Sequence, residues 1–573
     1  MKRTVMLLMI LTTGLCAAAR GETDTTKPDP AALKRWQDMR FGMFVHWGPV
    51  SLSEQEISWS RRAAAPLQFN TPPGAIVDPV YDNLYKRFNP TNYNAREWVA
   101  IAQAAGMKYI VLTAKHHDGF ALWPSKARDY NIAACPYKDG KGDIVKDLAE
   151  ACHAVGLGFG LYYSPRDWTH PDYGVGDNAK YETFMKAQVT ELLTQYGQVD
   201  VIWWDGFGNR DPIHYWHADQ FLKLVRALQP KILSNDRCAV DIRLGSPGLE
   251  GDFYTPEQQV GAFDMSRPWE SCMTVSAHNR WAWGGAADGV KSLASCLRML
   301  IVCAGGDGNM LLNVGPRPDG AIDPAQAGLL KEIGAWLAQY GESVHGTRGG
   351  PFKPGRYGVS TRKDKTVYVH ALNWPGGALT LPAIPAKIVG SKALTGGDVT
   401  VRQSDEGIEI SLPAGDRHAM DTVIALDLDR PAMEIAPLSP NRKVTLTTGK
   451  KAGASNVFQN SPAYGGDLGV DGDLDTRWAT DAGTKQAWLE VDLGKPVTFS
   501  RVGIEEAYAG RVQSFELQAW EGEKWKTFHT GTTIGESFSA TFAPITAQRV
   551  RLNILVASEG PTISEFQLFA PEK

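Results

Sequence analysis

The chain has 573 residues, too many for one ordinary core, so two or three domains are expected. Apolar residues make up 43% and charged residues 21%, the balance of a globular protein rather than of a disordered or membrane-embedded one. The net charge of -4 carries no bias toward polyanions, which sets nucleic acid aside as a partner.

Residues 1–19 read as a secretory signal. Lys2 and Arg3 form a basic start, Val5 to Leu11 a short apolar run, and Ala17, Ala18 and Ala19 a small-residue cleavage site. The run is too short to anchor as a membrane helix. Leu15 before Cys16 disfavours lipoprotein processing, so export to the periplasm or cell exterior, with no transmembrane segment, is expected. The remaining cysteines, at 135, 152, 238, 272, 296 and 303, are scattered and read as buried thiols rather than staples.

From residue 30 onward helical and strand patterns alternate. Helices are expected at 31–40, 94–106, 143–156, 179–196 and 216–228, and strands at 41–48, 109–114, 158–164, 199–206 and 231–237. Repeated alternation of this kind means a parallel α/β sheet. The absence of a G-x-G-x-x-G turn favours a (β/α)8-type barrel over a dinucleotide fold. Past residue 240 the pattern becomes irregular, and segments 253–258, 269–276 and 309–316 are the candidates for the last strands.

Polar residues gather at one end of these strands: His46, then His116, His117 and Asp118, then Tyr162, Tyr163 and Asp167, then Asp205, then Asn235 and Arg237. In a barrel the C-terminal strand ends share the face that carries the active site. Along 199–206, alternation sets Val201, Trp203 and Asp205 on one side and Ile202 and Trp204 on the other. A metal-dependent hydrolase fits poorly, because there is no H-x-H or H-E-x-x-H and adjacent His116 and His117 should diverge. A serine hydrolase would need a G-x-S-x-G elbow, which is missing. A carboxylate pair in an aromatic, His-rich pocket suits glycoside hydrolysis, with Glu257 and Glu270 as candidate partners for Asp205.

Six motifs taken together carry a family resemblance. They are FGMFVHWG from Phe41, EISW from Glu56, KHHDGFALWPS from Lys115, YYSPRDW from Tyr162, WWDG from Trp203 and GDGNMLLNVGP from Gly306. Over roughly residues 30–345 the chain resembles glycoside hydrolase family 29, the retaining α-L-fucosidases. The resemblance implies Asp205 as nucleophile and a fucose pocket built from His46, Glu56, His116, His117, Trp123, Tyr163 and Trp203, with Arg237 nearby. It implies an acid/base whose position shifts among members: Glu257 matches best, Glu270 is the runner-up and Glu56 the third choice. The substrate implied is a fucosylated oligosaccharide or glycoconjugate, and no cofactor is needed for the chemistry. The alternatives are an exo-glycosidase acting on an L-galactoside and a glycan-binding protein whose barrel does not turn over.

Short strands separated by turn residues fill 346–430 and read as a small β-sandwich. Across 440–573 the segments DGDLDTRW from Asp471, AWLEVDLG from Ala487, SRVGI from Ser500, RVQSFELQ from Arg511 and ISEFQLF from Ile563 are similar to the coagulation-factor 5/8 type C (discoidin-like) sandwich of carbohydrate-binding module family 32. That resemblance implies a structural Ca2+ held by Asp471, Asp473, Thr476 and Glu565, and a surface sugar site near Tyr508 and Arg511. Trp478 and Trp488 are expected in the core.

Overall fold

The computed structural model describes residues 27–62, 74–207, 215–238, 251–374, 377–440 except 406, and 445–571 except 475. The expected signal, 1–19, lies outside the described residues. The first architectural unit is a parallel sheet of seven strands: β1 (Phe41–Val45), β2 (Tyr109–Lys115), β3 (Gly158–Tyr163), β4 (Val201–Trp204), β5 (Leu233–Ser234), β6 (Glu270–Thr274) and β7 (Asn309–Val314). Their spatial order is β5-β4-β3-β2-β1-β7-β6. Segment 253–257 spans the gap between β5 and β6 with single bridges, Asn235 to Phe253, Tyr254 to Trp269 and Glu257 to Cys272. The sheet closes there as a (β/α)8-type barrel. The expected strand at 253–258 is reduced to bridges, and Pro256, which has no N–H, can offer only its carbonyl to Cys272.

Period-two alternation sorts the strand side chains into two layers. Phe44, Tyr109, Val111, Tyr162, Val201, Trp203, Phe253, Cys272 and Leu311 pack together inside the barrel. Their chain neighbours Met43, Ile110, Leu161, Tyr163, Ile202, Trp204 and Leu312 pack outward against the helices. Asn94 and Asp143 begin their helices by accepting backbone N–H bonds, from Arg96 and Glu97 and from Lys146 respectively. The inner layer is built around glycine at Gly42, where a Cβ would stand 2.4 Å from the Tyr109 ring.

Downstream, a five-stranded sheet and a three-stranded sheet, both antiparallel, share a core that includes Phe352, Val367, Ile410 and Leu426. The last part is an antiparallel sandwich dominated by two long bent strands, Ala487–Glu506 and Phe538–Ala557. Trp478 is in its core as expected. Trp488 is not: Leu489 beside it points inward, so alternation turns Trp488 to the outer face, where it is half-buried. The six described cysteines are free and buried. No helix among the described residues is long and apolar enough to cross a membrane.

Candidate active site

Asp205 stands one residue past β4, at the C-terminal mouth of the barrel. Gly206 follows at φ +106°, and a Cβ there would meet the Arg166 side chain at 2.8 Å. Each oxygen of Asp205 has its own donor. Tyr162 Oη donates to Oδ2 at 3.0 Å and Arg237 Nη1 donates to Oδ1 at 3.1 Å. His117 Nε2 lies 3.6 Å from Oδ2. Burial pushes the Asp205 carboxyl up, but Arg237, Arg166 and His116 outweigh it and hold the group below its ordinary value. Burial, reinforced by Asp205, keeps Tyr162 protonated and therefore a donor.

Arg237 does more than hold Asp205. Its Nη2 pairs with Glu257 Oε2 at 2.8 Å, its Nε donates to Thr255 Oγ1, and its guanidinium lies 4.7 Å over the Trp203 ring. One guanidinium thus holds both carboxylates, Asp205 on Nη1 and Glu257 on Nη2. Asp205 is 26% and Glu257 42% exposed at the side chain, so the pair faces an open mouth.

The three histidines form one wall. His46 Nδ1 is 2.7 Å from Asn313 Oδ1, while Asn313 Nδ2 donates to Trp281 O. The amide is thereby oriented, so His46 carries its proton on Nδ1 and leaves Nε2 as an acceptor. Burial lowers His46 to about 4, against the opposing pull of Asn313. His116 and His117, expected to diverge, both stand at the site because β2 ends at Lys115 and they follow in the turn. Their ring centroids are 4.1 Å apart, and His116 stacks on Tyr162. Burial and neighbouring positive charge push both well below the ordinary histidine value. Trp203 closes the floor, stacked on Tyr162 with centroids 5.7 Å apart.

Glu56 is at the site but occupied. It accepts backbone N–H bonds from Ile57, Trp281 and Ala282 at 2.8–3.0 Å, and so ties down the loop whose Trp281 ring packs 4.8 Å from His46. Burial raises its carboxyl, while these N–H bonds oppose the rise.

Three expected site residues are elsewhere. Trp123 is fully buried outside the barrel, with its Nε1 donating to Glu191. Tyr163 points outward from β3, its Oη donating to Gln188. Glu270 opens β6 and is paired with Asn309 at the start of β7, so it lies at the N-terminal end of the barrel. A residue there, below Trp203, cannot reach a leaving group at the mouth. Trp59, Trp168, Trp281 and Arg166 were not among the expected site residues, and Tyr162 was expected at the strand ends but not in the fucose pocket. Tyr162 was signalled by register: it pairs laterally with Trp203, so both point the same way. Trp59 and Trp168 pack on each other and on His117.

In the C-terminal sandwich, Thr476 Oγ1 donates to Asp471 at 2.9 Å and Gly472 N donates to Glu565 Oε1 at 2.7 Å. Glu565 Oε2 is buried with no hydrogen-bond partner, and the carboxyl is pushed up to about 8 by burial together with Asp471 and Asp473. Asp473 turns to Lys353, with Nζ at 3.2 Å. Among the described residues no group of three His, Cys, Asp or Glu side chains converges as a ready metal site. Arg511 lies 4.3 Å over the ring of Tyr508, which is 49% exposed.

Two carboxylates bridged by an arginine at the C-terminal mouth of a barrel, among histidines and indoles, are the equipment of a glycoside hydrolase. Comparison with known proteins gives the family. Residues 11–342 match the alpha-L-fucosidase family model, and residues 451–566 match the F5/8 type C domain. Human plasma alpha-L-fucosidase is 30% identical over 441 residues, covering 70% of this chain and 91% of the relative. A family 29 alpha-L-fucosidase from Bacteroides thetaiotaomicron, trapped as a covalent intermediate with 2-fluoro-fucosyl fluoride, aligns with TM-score 0.62 and 26% identity over 70% of this chain and 97% of that one. The alpha-L-fucosidase of Vibrio sp. strain EJY3 aligns over 96% of this chain and 99% of its own with TM-score 0.65; at 21% identity it speaks for the fold alone. The chain belongs to the alpha-L-fucosidase family and is a glycoside hydrolase.

Proposed function

We propose that this enzyme releases α-L-fucose from glycans with retention, using Asp205 as nucleophile and Glu257 as acid/base. The observation that carries the reading is the hold on Asp205: one oxygen on Tyr162, the other on an arginine that also holds Glu257. Asp205 attacks the anomeric carbon while Glu257 protonates the leaving oxygen; Glu257 then deprotonates the water that attacks the glycosyl-enzyme. His46 Nε2 accepts a sugar hydroxyl, His116 and His117 line the same wall, and Trp281, packed on His46, offers an apolar face to the ring and its methyl.

The test is nitrophenol release from 4-nitrophenyl α-L-fucoside by wild type and by Asp205→Gly, each with and without azide. Wild-type turnover, a loss of about a thousandfold or more in the variant and partial rescue by azide are expected. A variant that keeps near-wild-type activity sinks the assignment of Asp205.

Around this centre we read three domains, 30–345, 346–430 and 440–573, behind a signal at 1–19, and hence an exported enzyme of the periplasm or cell exterior. Asp471, Thr476 and Glu565 offer the hard oxygen donors Ca2+ requires, and the orphaned Oε2 of Glu565 supports that site; Asp473, taken by Lys353, is its weaker member. Addition of EDTA should lower the melting temperature and Ca2+ should restore it; an unchanged melting temperature removes the metal. Tyr508 and Arg511 are the place to look for a second sugar contact.

A further inference from the structure

Glu270 is a fully buried carboxyl that the mechanism above does not use. Among the described residues no cation pairs with it. It accepts hydrogen bonds from Tyr109 Oη and from Trp203 Nε1, the latter at 3.1 Å. Trp203 is the plate on which both partners of the nucleophile rest. The Arg237 guanidinium lies 4.7 Å over its ring, and Tyr162 stacks against it at an interplanar angle of 18°. Tyr162 and Arg237 in turn hold Oδ2 and Oδ1 of Asp205. A buried carboxyl without a counter-ion costs stability, so its use must lie in what it holds.

We propose that Glu270 is a positioning residue: by fixing the Trp203 indole from below, it sets Tyr162 and Arg237 against the two oxygens of Asp205. The inference rests on the reading of Asp205 as nucleophile. Removing the acceptor leaves a buried indole N–H unpaired, so the ring shifts toward another partner and takes Arg237 off its line. The nucleophile then loses part of the field that keeps it ionised, and the acidic limb of the kcat/KM profile moves to higher pH.

The experiment compares Glu270→Gln, which keeps an acceptor for Trp203, with Glu270→Leu, which does not. Active sites are counted with 2-fluoro-fucosyl fluoride. The expected result is a kcat/KM loss of about 10- to 100-fold per titrated site in E270L with a raised acidic limb, and a loss within about threefold with an unmoved limb in E270Q. A merely structural glutamate would lower the melting temperature and the titrated fraction but leave kcat per site and the limb alone; that outcome overturns the proposal. If E270L does not fold, Trp203→Phe, which keeps a ring and loses Nε1–H, must raise the limb in the same sense, and an unmoved limb there overturns it equally. Failure of azide rescue in Asp205→Gly would sink the nucleophile reading, whereas rescue with an unmoved limb in E270L sinks this inference alone.

Discussion

Tyr162 and Tyr163 are chain neighbours on β3, and their hydroxyls end in different worlds: one donates to Asp205 inside the barrel, the other to Gln188 on the helix Ala179–Gln195 outside it. Deleting each hydroxyl should therefore have different consequences. Tyr162→Phe is expected to lower kcat/KM by about 10- to 100-fold, the worth of a hydrogen bond to a charged group, with little change in melting temperature. Tyr163→Phe should cost about 1 kcal/mol of stability and leave KM and kcat unchanged. Equal kinetic effects would contradict the outward placement of Tyr163.

Glu257→Ala should separate substrates by leaving group. A natural fucoside needs its leaving oxygen protonated, so its hydrolysis should fall by about 100- to 10,000-fold. Nitrophenolate leaves unaided, so the aryl fucoside should suffer less in its first step, and azide should speed the second. An equal loss on both substrates would place the acid/base elsewhere.

Glu56→Gln should loosen the loop that carries Trp281. The carboxylate takes three backbone N–H groups, and an amide NH2 must oppose at least one of them. Because Trp281 packs on His46 rather than on Asp205, the expected effect is a KM raised about tenfold with a smaller change in kcat. A kcat effect larger than the KM effect would return Glu56 to the list of acid/base candidates.

Glu270 also sets a pH dependence of stability. Burial pushes its carboxyl up to about 7 from an ordinary 4.5, against the hydrogen bonds of Tyr109 and Trp203. Between those values the folded state holds a proton that the unfolded chain has released. The stabilisation is therefore full below pH 4.5 and is lost as pH rises to about 7. Denaturant unfolding across this window should show wild type losing up to about 3 kcal/mol relative to E270Q, with no further change above it. A constant difference across the window would mean that the group is not raised.

The barrel, its strand ends and Asp205 were legible because strand-helix alternation and a polar residue after each apolar run are local signals. Parity alone set Val201, Trp203 and Asp205 on one side, and the structure shows Val201 and Trp203 of that side packed inside the barrel. What was not legible depended on which parity faced inward on the other strands. Tyr162 and Tyr163 are chemically alike, and only the lateral pairing with Trp203 distinguishes them. Glu270 failed as an acid/base for a related reason: a strand's start and end lie on opposite sides of a barrel, and β6 begins at Glu270 where the motif alone left its boundary open. Trp281 reaches the site from a loop fastened by Glu56, a contact across more than two hundred residues that no periodicity announces.

The closure between β5 and β6 has a consequence of its own. The pairings among β1, β2, β3, β4, β6 and β7 run over four or more residues each, but 253–257 is held by isolated bridges, and Glu257 sits on the last of them. Both Thr255 and Glu257, which grip Arg237, are stitched into this seam. Damage to the seam should thus register as lost turnover well before it registers as a lower melting temperature, so the enzyme can be disarmed while still standing.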